Sequence, residues 1–299
     1  MVNKNTKKYE SIISLDPFVI SSNPAPMQVK WGKWFQKVTS DIQSRFHNRK
    51  VYYMKFNTIG PDGKLIDNEK EQAINNACTF ARYMGLVDFE KIRDNKNENP
   101  IVFETEYRDD TINIPRIYGK NSHIYQINDI DDIFEYSEIN CGLDLQTRQP
   151  YHIVVWIEKS TQDDVLEPLC RKYGATLLHA GGQYSLTTVY QIFQKIKHIT
   201  KPIKMFYLHD FDPAGENMPA AVARKLEFLI RKYQPNIDLE FFDTLLNKTQ
   251  IEDLPRAPMN NKSDQYKGEF ERKHGTDGIV ELDALATLKP DKFIEIIEN

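Results

Sequence analysis

The stretch FYLHDFDPAGENMPAAV, Phe206 to Val222, decides how this chain is read. An apolar and aromatic run passes through His209 into two aspartates one residue apart, Asp210 and Asp212. Pro213 and Gly215 follow, and then a helical pattern begins. A buried strand ending in two carboxylates needs a reason, because adjacent negative charges repel.

The surrounding sequence supplies the frame. HIVVWIE (152–158) is a continuous apolar run ending in Glu158, the texture of a parallel strand covered on both faces. DDVLEPLCRKYG (163–174) reads as a helix ending at Gly174, with Pro168 as a possible break. ATLLHAGG (175–182) reads as a strand, and SLTTVYQIFQKIKHI (185–199) as a helix with Ser185 at its N-cap. IKMFYLHD (203–210) is a further strand, PAAVARKLEFLIRKY (219–233) a helix with Pro219 in its first turn, and IDLEFF (237–242) a fourth strand. Four strands alternating with three helices predict a parallel α/β sheet.

In such sheets ligands sit outside the carboxyl ends of the strands. Glu158 ends the first strand of the unit, and Asp210 and Asp212 end the third. Three carboxylates converging there cost stability unless a cation lies among them. Oxygen ligands without nearby Cys or His spacing suit Mg²⁺ or Mn²⁺. A divalent ion so held can bridge to phosphate oxygens, which fits phosphodiester cleavage or transfer. The same Asp-x-Asp spacing also occurs in turns and helix caps, and Asp212-Pro213 alone could simply start a turn. Glu158 at the matching strand end favours the metal site.

The first half of the chain has a different texture. Residues 1–26 are polar, with Pro17, Pro24 and Pro26, and read as an irregular basic arm. VKWGKWFQKVTSDIQSRF (29–46) places Trp31, Trp34, Phe35, Val38, Ile42 and Phe46 at helical spacing. KVYYMKF (50–56) is a strand or a short buried helix, closed by the turn signal Gly60-Pro61-Asp62-Gly63. EKEQAINNACTFARYMG (69–85) is a helix with the stripe Ala73, Ala77, Phe80, Ala81 and Met84, and Gly85 as its cap. These elements suit a winged-helix-like module over 27–120. An acidic connector over 121–150 precedes the α/β unit of 151–299.

Charge is unevenly spread. The net value over 299 residues is −4, yet residues 1–60 hold ten Lys/Arg against three Asp/Glu, and residues 61–140 hold nine against seventeen. A basic lead on an acidic body suits a phosphate contact confined to one face; a solvated arm would read the same way. Three well-separated cysteines, Cys78, Cys141 and Cys170, show no Cys-x-x-Cys spacing and exclude a local zinc knuckle. No apolar run reaches the ~20 residues of a membrane helix, and the N-terminus makes a poor signal peptide, so a cytoplasmic protein is expected.

VVWIEK followed by FYLHDFDPAGENM resembles the Toprim domain, the metal-binding fold of topoisomerases, primases and certain nucleases. The form DFDPAG is most similar to the topoisomerase VI A subunit, its relative the meiotic double-strand-break protein, and Toprim proteins of bacteria and mobile elements. The resemblance is specific over 151–245. It implies a Toprim-type parallel sheet with Glu158, Asp210 and Asp212 on Mg²⁺. The tail from Thr249 looks like the ending of the mobile-element proteins, which would make Asp264 and Asp283 recurrent acidic positions. Read directly, GIVELDAL (278–285) is a short strand leading into a capped helix.

NRKVYYMKF carries a second likeness, to the Arg, two residues, aromatic-Tyr pattern of those enzymes. It implies that Arg49 neighbours a DNA phosphate and that Tyr53 attacks it, leaving a 5′-phosphotyrosyl link. Lys50 stands where those enzymes often carry an acidic residue, and no ATPase segment is present in the sequence. The expectation is therefore a Mg²⁺-dependent DNA-breaking homodimer, with a possible ATPase subunit acting in trans. A hydrolytic nuclease using the same carboxylates, or a DNA-binding subunit with a structural metal, are the alternatives. His209, Lys159 and the Gly181-Gly182 turn are weaker candidates for phosphate contact, each with an ordinary structural explanation.

Overall fold

The computed structural model describes residues 7–9, 26–93, 101–103, 149–179, 185–259 and 264–298. Cys141, the Gly181-Gly182 pair, most of the arm over 1–26 and all but the end of the 121–150 connector lie outside the described residues. Among those described, six strands form one sheet: β1 (Lys7–Tyr9), β2 (Ile101–Phe103), β3 (His152–Ile157), β4 (Thr176–His179), β5 (Ile203–Leu208) and β6 (Leu239–Leu245). Their order is β1-β6-β5-β3-β4-β2. The inner four are all parallel, as the alternating pattern predicts, while β1 and β2 pair antiparallel at the two edges.

Neither edge strand was legible. Lys7–Tyr9 falls in the arm read as irregular, yet it pairs with Phe241–Asp243. Ile101–Phe103 falls within 27–120, yet it pairs with Leu177–His179. Three-residue edge strands carry too little periodicity to announce themselves, and their pairing is decided by a distant partner.

The sheet is buried on both faces, and side-chain alternation sorts each strand between them. Val154, Trp156, Met205, Tyr207 and Phe241 point to one side. There they meet α5 (Leu186–Ile196) and α6 (Pro213–Tyr233) through Val189, Phe193, Leu226 and Leu229. Val155, Ile157, Leu177, Leu208 and Leu245 point to the other side. That face is covered by α4 (Asp163–Tyr173) and by the chain's last helices, α7 (Asp264–His274), α8 (Leu282–Leu288) and α9 (Pro290–Glu298). Phe270, Leu285 and Phe293 are the buried anchors of this second cover.

Local chemistry explains the helix ends. Ser185 Oγ accepts the Thr188 N–H at 3.2 Å, the N-cap expected from sequence. Gly174 ends α4 in the left-handed conformation (φ 63°). Pro168 does not break α4. The helix runs through it, because only one backbone donor is lost and Leu166 and Cys170 on either side stay buried. The helix expected from Pro219 begins instead at Pro213, with Pro219 inside it. Asp212 as N-cap and Pro213, which needs no donor in the first turn, start the helix six residues early.

The N-terminal module packs α1 (Pro26–Thr39), α2 (Arg49–Lys55) and α3 (Glu71–Tyr83) around Trp31, Phe35, Val51, Tyr52, Ile74 and Ala77. The helix read over 29–46 stops at Thr39, whose hydroxyl bonds back to the Phe35 carbonyl at 2.8 Å. Ile42 and Phe46 still reach the same core from the turn that follows, so their helical spacing was coincidental. KVYYMKF is a helix, the second of the two forms left open. The module rests on α5 and α6 through Arg82 to Thr187 (2.9 Å), Tyr83 against Phe228 (4.7 Å between rings) and Phe89 stacked on Tyr190 (4.9 Å).

Cys78 and Cys170 are buried free thiols, and burial pushes Cys170 up to about 12, which makes it inert. No helix among the described residues is long and apolar enough to cross a membrane.

Because Phe293 is fully buried under the sheet, Phe293→Ala should destabilise the fold by about 3–5 kcal/mol. Urea unfolding followed by far-ultraviolet circular dichroism would show this as a lower midpoint. An unchanged midpoint would mean that the terminal helix is not part of the cooperative core.

Candidate functional site

The carboxyl ends of the four parallel strands make one edge, and chemistry-bearing side chains gather along it. Ile157 of β3 is in register with Leu208 of β5, so Glu158 and His209 leave the sheet at the same level. The expectation that Glu158 shares an edge with Asp210 and Asp212 follows from this pairing.

Asp210 is tied on both oxygens. Oδ1 accepts the backbone N–H of Leu282 at 2.7 Å, and Oδ2 faces the Lys159 ammonium at 2.8 Å. Lys159 also reaches Glu281 at 3.3 Å. Burial works against the ammonium, yet Asp210 and then Glu281 hold the Lys159 pKa well above the usual lysine value. The backbone joins in, with Phe211 and Val280 exchanging hydrogen bonds at 2.8 and 3.0 Å. Ile279 and Val280 make isolated bridges here, not the short strand read from sequence. The cap of α8 is the Asp210 carboxylate, 72 residues away in sequence, and not the Glu281 side chain.

Asp212 caps α6 by accepting the Gly215 N–H at 2.5 Å. The two aspartates therefore serve two different helices. The close approach fixes Gly215, since a Cβ there would lie 2.3 Å from the Asp210 carbonyl oxygen. Burial first, and the Asp210 charge as well, hold the Asp212 carboxyl above the usual range despite the Gly215 bond. That is the condition in which a nearby cation is stabilising.

His209 is buried between these groups. Its Nδ1–H donates to the Asp210 carbonyl at 2.7 Å, which leaves Nε2 sharing a proton with Asp243 Oδ1 at 2.6 Å. Burial lowers its pKa, but Asp243 and the Asp210 carbonyl outweigh burial and raise it above the ordinary histidine value. One strand further in the other direction, His179 of β4 meets Asp163 at 2.8 Å. Asp283 accepts Thr161 Oγ1 (2.6 Å) and Gln162 Nε2 (2.7 Å), binding α8 to the turn after Glu158. Asp264 opens α7. Asp243 escaped the sequence reading although it lies in EFFDT near the end of β6, where parallel topology brings it to the same edge. Glu281 could not have been found, because its place depends on how the tail docks.

A cleft of about 390 Å³ opens beside the edge, between the β6 end and α7, lined in part by His209, Asp243, Lys248, Glu216 and His274. Glu216 accepts from Lys273 and, on both oxygens, from His274 Nε2 at 3.1 Å.

Glu158, Asp210 and Asp212 offer oxygen donors only, the chemistry of a hard divalent ion. Their present arrangement is different, with the Lys159 ammonium as the positive charge at Asp210. Among the described residues no group of three His, Cys, Asp or Glu is placed to hold a metal ion.

Arg49 and Tyr53 lie four apart on α2, on one face of the helix. Tyr52 is core, with its hydroxyl on Asn68 at 3.1 Å, while Tyr53 is 66% exposed and touches the Tyr52 ring. Arg49 pairs with Glu71 at 3.1 Å in an exposed position. Among the described residues Tyr53 is in contact with Tyr52, and Asp210 and Asp212 with Leu282, Lys159 and Gly215.

Fold and edge define a mixed α/β protein with an all-parallel inner sheet and an acidic, lysine-neutralised carboxyl edge. Protein-family models give no match to the chain, and neither do curated proteins.

Burial pushes the Glu216 carboxyl up, but its bonds to Lys273 and His274 prevail and hold it below the usual glutamate value. Its contribution to stability is therefore present above the unfolded-state pKa and is lost as the pH falls through the folded-state pKa. Glu216→Gln should cost roughly 1 kcal/mol at pH 7, and the gap to the parent should narrow as the pH falls below the ordinary glutamate value. Denaturation at several pH values checks this. A gap independent of pH would show that the charge is immaterial.

Proposed function

We propose that this chain is a Toprim-type DNA-processing protein that breaks phosphodiester bonds with the help of Mg²⁺. The observation that carries the reading is the placement of Glu158, Asp210 and Asp212 at one carboxyl edge, with Asp210 neutralised by Lys159. An acidic centre that already recruits an internal cation is suited to an external one. A divalent ion held there would stabilise charge on the attacking or leaving oxygen of a phosphodiester. Within the chain, Lys159 balances Asp210, while His209 and Gly215 hold the loop between the two aspartates in place.

Tyr53 is the nucleophile in this reading. Unlike its buried neighbour, it presents its hydroxyl to solvent from a basic helix, with Arg49 one turn away to meet a phosphate. Tyr53 makes no contact with these carboxylates, and in this reading a homodimer brings each tyrosine to the partner's edge. The helical module of 26–93 then acts as the winged-helix-like DNA-binding part. The same lack of contact supports a second reading, hydrolysis at the carboxylate edge with water as nucleophile.

Two measurements test this. With DNA and Mg²⁺, the wild-type protein should form a covalent protein–DNA adduct. Tyr53→Phe should abolish it without altering DNA binding, and Asp210→Ala with Asp212→Ala should abolish every cleavage product. Cleavage by the Phe variant at the parent rate would replace transesterification with hydrolysis, and cleavage by the double alanine variant would sink both.

Lys159→Met removes a positive charge beside Asp210 and should tighten Mg²⁺ binding about fivefold or more, the scale of two charges ~4 Å apart in water. Titration calorimetry reads this directly. Weaker binding in the Met variant would mean that the lysine organises the carboxylates and does not compete for them.

A further inference from the structure

Exposed large apolar side chains are unevenly distributed over the described surface. Tyr53, Met54, Phe56, Ile59 and Leu65 all fall within thirteen residues of α2 and the turn that follows it. Ile59 is 63% exposed and Leu65 46% exposed, and the two face each other across a tight hairpin as an antiparallel bridge. The hairpin is held in shape by its own backbone. Asn57 N–H donates to Ile66 (2.9 Å), Ile66 N–H to Thr58 (2.8 Å) and Gly60 N–H to Lys64 (2.8 Å). Its base is anchored by fully buried Ile66, and its tip by Asp62 bonded to Lys70 at 2.7 Å. A pre-shaped tip that leaves two aliphatic side chains in water contributes nothing to the core of this chain.

Charge says what fits it. Lys64 lies within the hairpin and Lys50 and Lys55 on the helix before it, and none of the three forms an ion pair with another described residue. Of the acids that follow, Asp62 is paired with Lys70 and Glu71 with Arg49, while Asp67 caps the next turn and Glu69 is exposed; residues 26–66 hold eight Lys/Arg against two Asp/Glu. An apolar tip on so basic a segment is complementary to a groove lined with phosphates. Proteins that insert Ile, Leu, Phe or Met between base steps from the minor groove kink the duplex by roughly 20–90°.

We propose that the Ile59–Leu65 hairpin is a wedge that enters the minor groove of duplex DNA and bends it, with Lys50, Lys55 and Lys64 on the flanking phosphates. This rests on the DNA reading given above and adds to it the manner of engagement. The wedge favours steps that unstack readily, such as TA, over stiff A-tracts.

The test uses the full chain, end-labelled duplexes of about three helical turns, and energy transfer between the ends as the measure of bending. Wild-type protein should bend a duplex with a central TA step and prefer it to an A-tract. Ile59→Ser with Leu65→Ser should lose both the bend and the preference, while affinity for straight duplex changes less than about threefold, since phosphates supply it. Neutralising Lys50, Lys55 and Lys64 to Gln should weaken all duplexes alike and lower the salt slope by roughly 0.9 for each phosphate no longer neutralised. Ile59, Leu65, Lys50 and Lys64 are exposed and Lys55 is half-buried, and an unchanged melting temperature shows that the variants fold. A double Ser variant that bends DNA as the parent does would overturn the proposal. So would one that instead loses self-association in sedimentation, because the hairpin would then be an interface between copies. The outcome is separable from the cleavage reading: a wild-type protein that bends DNA but forms no adduct supports the wedge and removes the tyrosine chemistry.

Discussion

A parallel sheet that is apolar on both faces has to be covered twice, and in this chain the second cover is brought from far along the sequence. Asp210 ties it down. Its carboxylate accepts the first N–H of α8 and binds Lys159, and the Phe211–Val280 bridge lies directly beside it. Phe270, Leu285 and Phe293 can then close over Val155, Ile157 and Leu208. The group that best suits a metal ligand is therefore also the group that fastens the tail to the sheet.

Along the carboxyl edge the four parallel strands each end near an acid facing a histidine or a lysine. His179 meets Asp163 beyond β4, Lys159 joins β3 to Asp210 after β5, and His209 joins β5 to Asp243 of β6. Asp163, Asp210 and Asp243 each face a basic group, and Asp212 is satisfied by the Gly215 N–H, which helps the half-buried edge to tolerate its carboxylates. Breaking a single pair there would leave its partner desolvated, which costs more than the pair itself gains. This coupling is a reason for the edge to act as a unit, in which the state of Asp210 is felt at Lys159, Glu281 and the start of α8.

What was legible in the sequence was local. The continuous apolar runs gave β3 to β6, Ser185 gave a cap, and Gly85 and Gly174 gave two helix ends, because each of those signals is complete within a few residues. Misreadings arose where a local signal had two outcomes. Asp212-Pro213 marks both a turn and a helix start, and the start prevailed; the prolines at 168 and 219 were absorbed into helices whose flanking residues were well buried. Contacts between distant segments left no local trace. The pairing of Lys7–Tyr9 with β6, the capping of α8 by Asp210, and the neutralising of Asp210 by Lys159 depend on which segments meet. The same is true of Tyr53. The Arg49 to Tyr53 spacing was visible, but not that Tyr52 would be core and Tyr53 exposed, which the rotation of α2 against α3 decides.

The late position of the second cover has a consequence for how the protein is made. Strands β3 to β6 leave the ribosome with one face ready for α5 and α6, which are interleaved with them. The other face has only α4 interleaved with its strands, and the rest of it must wait for Phe270, Leu285 and Phe293. At synthesis rates of roughly 5–20 residues per second, that interval lasts several seconds. During it the growing chain displays a broad aliphatic surface, the kind of surface that chaperones bind. The nascent protein is thus most exposed to aggregation after its sheet is complete and before its last helices arrive.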